Sequence, residues 1–279
     1  MSRIPFSQVL KNAKVDIREE YDRLYYLFYL KKIDLYTNNQ TTLMLFCHEN
    51  FFNFPYRNTC ISLDDFEKTC GYQFVEDPWD FNLDYLVSFC EYSYNLIYLI
   101  EQNSNVFRTS ELNNSLWFYT KQIERVVETI GYMANTQNGI TDFVPKDPAA
   151  ISVAEILNDP NLSYKTIEYN HHSMKGDLER KKAILVTLGD KLEPQRDKLE
   201  KVNDHLKKDI FCLLNNLNLR HNNTDPGSNY RPYVASMKDE ELEQWYDDLY
   251  QMILLAFLEL DHLDRKGRIE QLNENLKKK

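Results

Sequence analysis

The sequence predicts an all-α protein, and three observations predict it. Apolar residues recur at spacings of three and four over long stretches, whereas alternation of period two is scarce. Only 7 Gly and 9 Pro interrupt the 279 residues, well under the roughly 12% combined share of an average chain. An apolar fraction of 43% with 27% charged residues fits a globular chain with a sizeable core, not a disordered or fibrous one.

The first helix is expected from Ser7 to about Lys32, where Val15, Tyr21, Leu24, Tyr25, Phe28 and Tyr29 form an aromatic stripe suited to a core. Between about Ile33 and Pro78 the pattern breaks into Asn, Thr, aromatic and Pro residues, with one short helix marked by the capping spacing of Ser62 and Asp65. A helix starting near Asp80 or Asn82 carries Leu83, Leu86, Val87, Cys90, Tyr94, Ile97 and Ile100. The next starts at Thr109 or Ser110 and carries Leu116, Ile123, Val126, Val127 and Ile130.

Residues Asn135 to Ala149 hold Asn138-Gly139 and two prolines, which reads as a turn and linker. The main boundary is placed there. Residues 1–137 form a less regular, mainly helical N-terminal region, 138–150 the linker, and 151–279 a C-terminal helical domain. In that domain a short helix is expected from Ile151 to Leu157, and a longer one over roughly Leu162 to Lys191 with an irregularity at Gly176. Two more are expected from Glu193 to about Leu219 and from Asp239 to about Asn275.

Several function classes fall away. The glycines at 71, 131, 139, 176, 189, 227 and 267 are too scattered for a dinucleotide fingerprint, a phosphate-cradling loop or a nucleophile elbow. Five cysteines, never in a C-x-x-C spacing, indicate neither a disulfide framework nor a zinc ribbon. The start Met-Ser-Arg-Ile-Pro lacks a signal-peptide stretch, and the most apolar windows, Leu86 to Ile100 and Met252 to Leu260, are too short to span a bilayer. The expectation is a soluble, cytoplasmic protein with no membrane partner. A formal charge of -10 gives no general attraction for nucleic acid. RNA contact would need a local basic patch, for which Lys175, Arg180, Lys181 and Lys182 and the tail Lys277 to Lys279 are the candidates.

The strongest constellation for chemistry lies at the end of the helix expected from Glu193. Leu199, Val202, Leu206, Ile210, Leu213, Leu214 and Leu217 form its core stripe, and Arg220, His221, Asn222 and Asn223 come directly after. Continued helically, His221 would stand at the edge of the buried face. Arg can hold a developing phosphate charge and His can move a proton near neutral pH, so the pair suits phosphodiester chemistry. The alternative is plain capping, since cations complement a helix C-terminus and Asn suits a helix stop.

A second arrangement consists of two Glu-x-x-His spacings, Glu168 with His171 and Glu259 with His262. In di-metal bundles such pairs are completed by single glutamates, here Glu101, Glu124 or Glu128. The spacing is unspecific, and no metal or other cofactor is assigned from it. The acidic run Asp239, Glu240, Glu241, Glu243, Asp247 and Asp248 reads as a solvated helix start, and His171-His172 as a surface pair.

Residues 169–185, Leu192-Glu193-Pro194, residues 215–223 and residues 241–256 together resemble the C-terminal part of bacterial abortive-infection proteins of the AbiJ type, relatives of the HEPN helical domains. The resemblance covers about Ile151 to Leu272. It implies a helical bundle, often a homodimer, of anti-phage or toxin-antitoxin systems, and in many cases a metal-independent ribonuclease. The family's site is an Arg, a polar residue, then a His several residues on. Arg220 matches the Arg and His221 the polar residue, but Asp225, Pro226 and Gly227 stand where the terminal His belongs. Two expectations follow from the resemblance. In one, Arg220, His221 and Asn222 cleave RNA, with His221 as acid or base, Arg220 stabilising the phosphorane and Asn222 orienting one of them. In the other, the chain is a non-catalytic HEPN-like interaction or scaffold protein that holds a partner defence protein. A helical di-metal oxidase is the third and least favoured reading.

Overall fold

The computed structural model describes residues 15–35, 39–103 and 108–277. The protein is mainly helical, as the sequence predicts, with two small antiparallel sheets of two strands each. It divides into two compact units between Phe143 and Val144, a point inside the expected linker.

In the first unit, α1 (Ile17–Tyr25) starts where the Asp16 carboxylate accepts the N–H groups of Arg18 and Glu19. It runs into a π-helical turn, Tyr26–Leu30, that ends at Lys31. The part of the expected first helix over residues 7–14 lies outside the described residues. Strands β1 (Ile33–Asp34) and β2 (Gln40–Thr41) follow, then α2 (Leu43–Glu49) and α3 (Leu63–Cys70). Ser62 caps α3 through its hydroxyl, 3.1 Å from the Asp65 N–H, as its spacing predicts. Helix α4 (Leu83–Asn103) is buried around most of its girth and α5 (Ser110–Thr129) along one face. The aromatic stripe of α1 is core: Tyr21, Leu24 and Phe28 are fully buried, with Phe89 of α4 and Tyr119 of α5 against them.

The expected turn at Asn138-Gly139 is present, with both residues at positive φ. It does not sit in a linker. It joins β3 (Tyr132–Gln137) to β4 (Ile140–Pro145), and the Asn95 side chain of α4 holds β4 by both its ends, accepting from Thr141 N–H at 2.8 Å and donating to Thr141 C=O at 2.7 Å. Six-residue strands anchored to a helix are too short to impose a visible period of two.

In the second unit, α6 (Pro148–Leu157) and α7 (Pro160–Glu168) each begin with an Asp N-cap and a Pro in the first turn. The single helix expected over Leu162 to Lys191 is two helices. After α7 the chain turns through His171, whose ring accepts the Ser173 N–H, and through Gly176 at φ 77°, before Asp177 caps α8 (Leu178–Leu192). Helix α9 (Arg196–Asn216) is broken at Asn203, where φ is -152° and the side chain recaps the chain by accepting the Leu206 N–H. After the short α10 (Pro232–Ala235) comes α11 (Asp239–Lys277), against which α6, α8 and α9 pack. Of the apolar stripe along α11, Leu249, Ile253, Ala256 and Leu260 are buried in the core of this unit. Leu242 and Met252 are half-buried against the same core, and only Trp245 of that stripe is exposed. Among the described residues, no helix is long and apolar enough to cross a membrane.

Candidate functional site

Helix α9 ends at Asn216, earlier than its apolar rhythm suggests, because Asn218 takes a left-handed conformation (φ 56°) and the Arg220 N–H turns back to the Leu214 carbonyl at 3.1 Å. Arg220 is thereby folded against the end of α8. Its guanidinium hydrogen-bonds Glu193 and pairs with Asp190 at 3.1 Å, and its plane lies over Phe211 with 5.6 Å to the ring centroid. Gly189 makes this approach possible: a Cβ there would stand 2.9 Å from both methyl groups of Leu214 and 3.5 Å from Arg220 Nη2. The Arg220 side chain is 18% exposed, and its Nε is buried without a hydrogen-bond partner.

His221 does not continue the helix. It is exposed, outside the buried face on which helical continuation would have placed it. Asn222 orients neither neighbour: its Oδ1 accepts from Thr224 and Asp225, and its amide donates to Asp225 at 2.8 Å. The arrangement is a guanidinium clamped by carboxylates beside an exposed imidazole, followed by an Asx turn. The buried hub of this loop is Asn223, for which the sequence suggests a helix stop and no more. It exchanges hydrogen bonds with Asn218 in both directions and donates to the Asn229 carbonyl. The only sequence signal for it was the density of asparagines.

The candidate RNA-binding residues do not share one basic face. Lys175 is exposed and Lys182 half-buried, whereas Arg180 pairs with Glu168 at 2.8 Å and with Asp177 at 3.7 Å. Lys181 points inward. Its ammonium is 2.8 Å from Glu243 and 2.6 Å from Asp247 and lies over the Tyr169 ring, which stacks on Tyr250. Two members of the acidic run, Glu243 and Asp247, are therefore partners of a buried lysine, with Asp247 still half exposed. The Lys181 hydrogen bond, with the Gly176 N–H beside it, holds the Glu243 carboxyl below the usual carboxylate range. Burial pushes the Tyr169 phenol well up, with the Asp247 charge adding to it.

Four glutamates of the di-metal reading have other partners. Glu168 holds Arg180, Glu259 accepts from Asn203 at 3.1 Å, Glu101 holds Arg108 and Glu124 holds Lys121. His171 is buried with Nδ1 2.7 Å from Ser173 Oγ, and His262 is exposed. Among the described residues, Glu168, Glu259 and His262 belong to no group of three side chains close enough to hold a metal.

Set against known protein families, curated proteins and solved structures, the chain matches none.

Proposed function

We propose that the second unit is a HEPN-like helical module of a bacterial anti-phage protein and that it works by holding a partner and not by cutting RNA. The observation that carries this choice is the engagement of Arg220. A guanidinium whose fork already serves Asp190 and Glu193 must give up both carboxylates before it can grip a phosphate, in a neighbourhood whose charge repels that phosphate. The exposed end of α11 supports the binding role. From Arg265 onward the helix is exposed on every side, with Ile269, Leu272 and Leu276 spaced by three and four along one stripe. A single helix of that length is marginal in water without a surface to pack on.

The partner is then a second copy of this chain or a defence protein that buries the same stripe. Light scattering on the full chain and on a chain ending at Asp261 tests this. The shortened protein should keep its melting temperature and lose self-association or partner capture; unchanged assembly would overturn the role given to the stripe.

RNA cleavage is the second reading, favoured by one observation: Arg220 Nε is buried and unpartnered beside the exposed His221. In it a ribose 2′-hydroxyl attacks the adjacent phosphorus and the bond to the 5′-oxygen breaks, leaving a 2′,3′-cyclic phosphate and a 5′-hydroxyl; His221 moves the proton from the 2′-oxygen to the leaving 5′-oxygen, and Arg220, released from Asp190 and Glu193, stabilises the phosphorane.

A further inference from the structure

Helices α9 and α11 of the second unit leave a groove of about 510 Å³ between them. They run antiparallel: Asn203 bonds Glu259 near one end, and the Leu217 carbonyl accepts the Tyr246 hydroxyl at 3.2 Å near the other. Trp245, Met252 and Leu213 form the apolar part of the groove, and Trp245 is 38% exposed. The charged residues that line it, Asp209 and Asp248, are both carboxylates and both exposed.

The exposed end of α11 has the opposite character. Ile269, Leu272 and Leu276 make an apolar stripe, with Arg265, Lys266, Arg268 and Lys277 around it. Charge is split along the whole helix: Asp239 to Asp264 contains nine Asp and Glu and no Lys or Arg, whereas Arg265 to Lys277 contains four Lys and Arg against two Glu. Trp245 and Met252 stand seven residues apart, and so do Ile269 and Leu276. Leu255, itself exposed, keeps the register of the second pair, fourteen residues before Ile269. A seven-residue repeat of exposed apolar side chains is the pattern of a helix that winds against another helix.

From these observations we propose that the groove seats the exposed end of α11 from a second copy of this chain, the two α11 helices lying antiparallel about a two-fold axis. In that register Trp245 meets the partner's Leu276 and Met252 meets the partner's Ile269. Both pairs are centred between Leu260 and Asp261, so one axis generates both contacts. The acidic part of each helix then faces the basic end of the other, whereas a parallel pair would set acid against acid. The seam runs from Trp245 to Leu276, roughly 48 Å at 1.5 Å per residue, and covers a stripe that a single helix leaves in water. This interface deepens the binding role proposed above: it rests on the stripe being a docking surface and commits the partner to a second copy.

Sedimentation equilibrium on the full chain, with a thiol cross-link, tests it. The wild type should be a dimer. Trp245→Asp, which alters only the groove, and Leu276→Asp, which alters only the stripe, should each weaken the dimer at least about tenfold with far-UV circular dichroism unchanged. Leu272→Cys should be joined to the partner's Cys212 by a short bismaleimide, as a covalent dimer identified by peptide mapping. Cys212 lines the groove, and Leu272 of the same chain stands roughly 30 Å along its own helix from that point, out of reach of an internal link. A monomeric wild type, or a dimer that Trp245→Asp leaves intact, overturns the proposal, and the cross-link decides the matter if Trp245→Asp fails to fold. If the chain ending at Asp261 loses association while Trp245→Asp keeps it, the groove is wrong and the stripe keeps its role; if neither loses it, both fail.

Discussion

The ammonium of Lys181 stands 2.6 Å from the carboxylate of Asp247, joining the start of α8 to the first turns of α11 inside the second unit. With Glu243 at 2.8 Å and the Tyr169 ring beneath it, a side chain that is 7% exposed has every charge it needs close by. Removing the carboxylates leaves a buried cation uncompensated, whereas removing the cation leaves carboxylates that water can still reach. Glu243→Gln with Asp247→Asn should therefore lower stability by about 2 kcal/mol, less than a fully buried pair because Asp247 is half exposed. Lys181→Met should be milder. Urea midpoints of the two variants measure the asymmetry, and a reversed order would contradict it.

The same cluster sets an acid limit. The Lys181 hydrogen bond, then the Gly176 N–H, lower the Glu243 pKa in the folded protein. A depressed folded value means that the contribution is present above the unfolded carboxylate pKa of about 4.3 and is lost as pH falls through the folded value. Denaturation followed from neutral pH downward should show a shallower acid loss in Glu243→Gln than in the wild type. Identical acid limbs would remove Glu243 from the account.

Two glycines on helices should respond oppositely to alanine. At Gly189 the new methyl meets Leu214 at 2.9 Å next to Arg220, so overpacking should destabilise by about 1 to 3 kcal/mol. At Gly267 on α11 nothing lies within 4 Å, and helix propensity should stabilise by about 0.5 to 1 kcal/mol. Thermal melts of Gly189→Ala and Gly267→Ala read the signs directly.

Legibility in the sequence followed the range of the interactions. The class, the core stripes of α1, α4 and α5 and the capped start of α3 rest on residues three or four apart, and each is where the pattern places it. The failures are long-range. Nothing near Thr141 announces that Asn95 will pair with its backbone and make a strand of an expected linker. Nothing in the acidic run announces that Glu243 and Asp247 will receive a lysine from 66 residues or so away. The candidate site suffered from the same cause on a smaller scale: a left-handed Asn218 ends α9, sending Arg220 to the carboxylates of Asp190 and Glu193 and leaving His221 outside.

Whether Arg220 is a clasp or a phosphate grip is tested most directly through its exposed neighbour, because His221→Ala removes the adjacent imidazole without touching the core. Purified wild type, His221→Ala and Arg220→Lys are incubated with total RNA in the presence of a metal chelator, and cleavage products are compared alongside melting temperatures. With Arg220 as a clasp, the wild type cleaves RNA no more than His221→Ala does, and the melting temperature falls only in Arg220→Lys, where lysine cannot serve Asp190, Glu193 and the Phe211 face together. Wild-type cleavage that disappears in His221→Ala, with its melting temperature unchanged, would contradict the binding role and establish the Arg220 and His221 pair as a ribonuclease site.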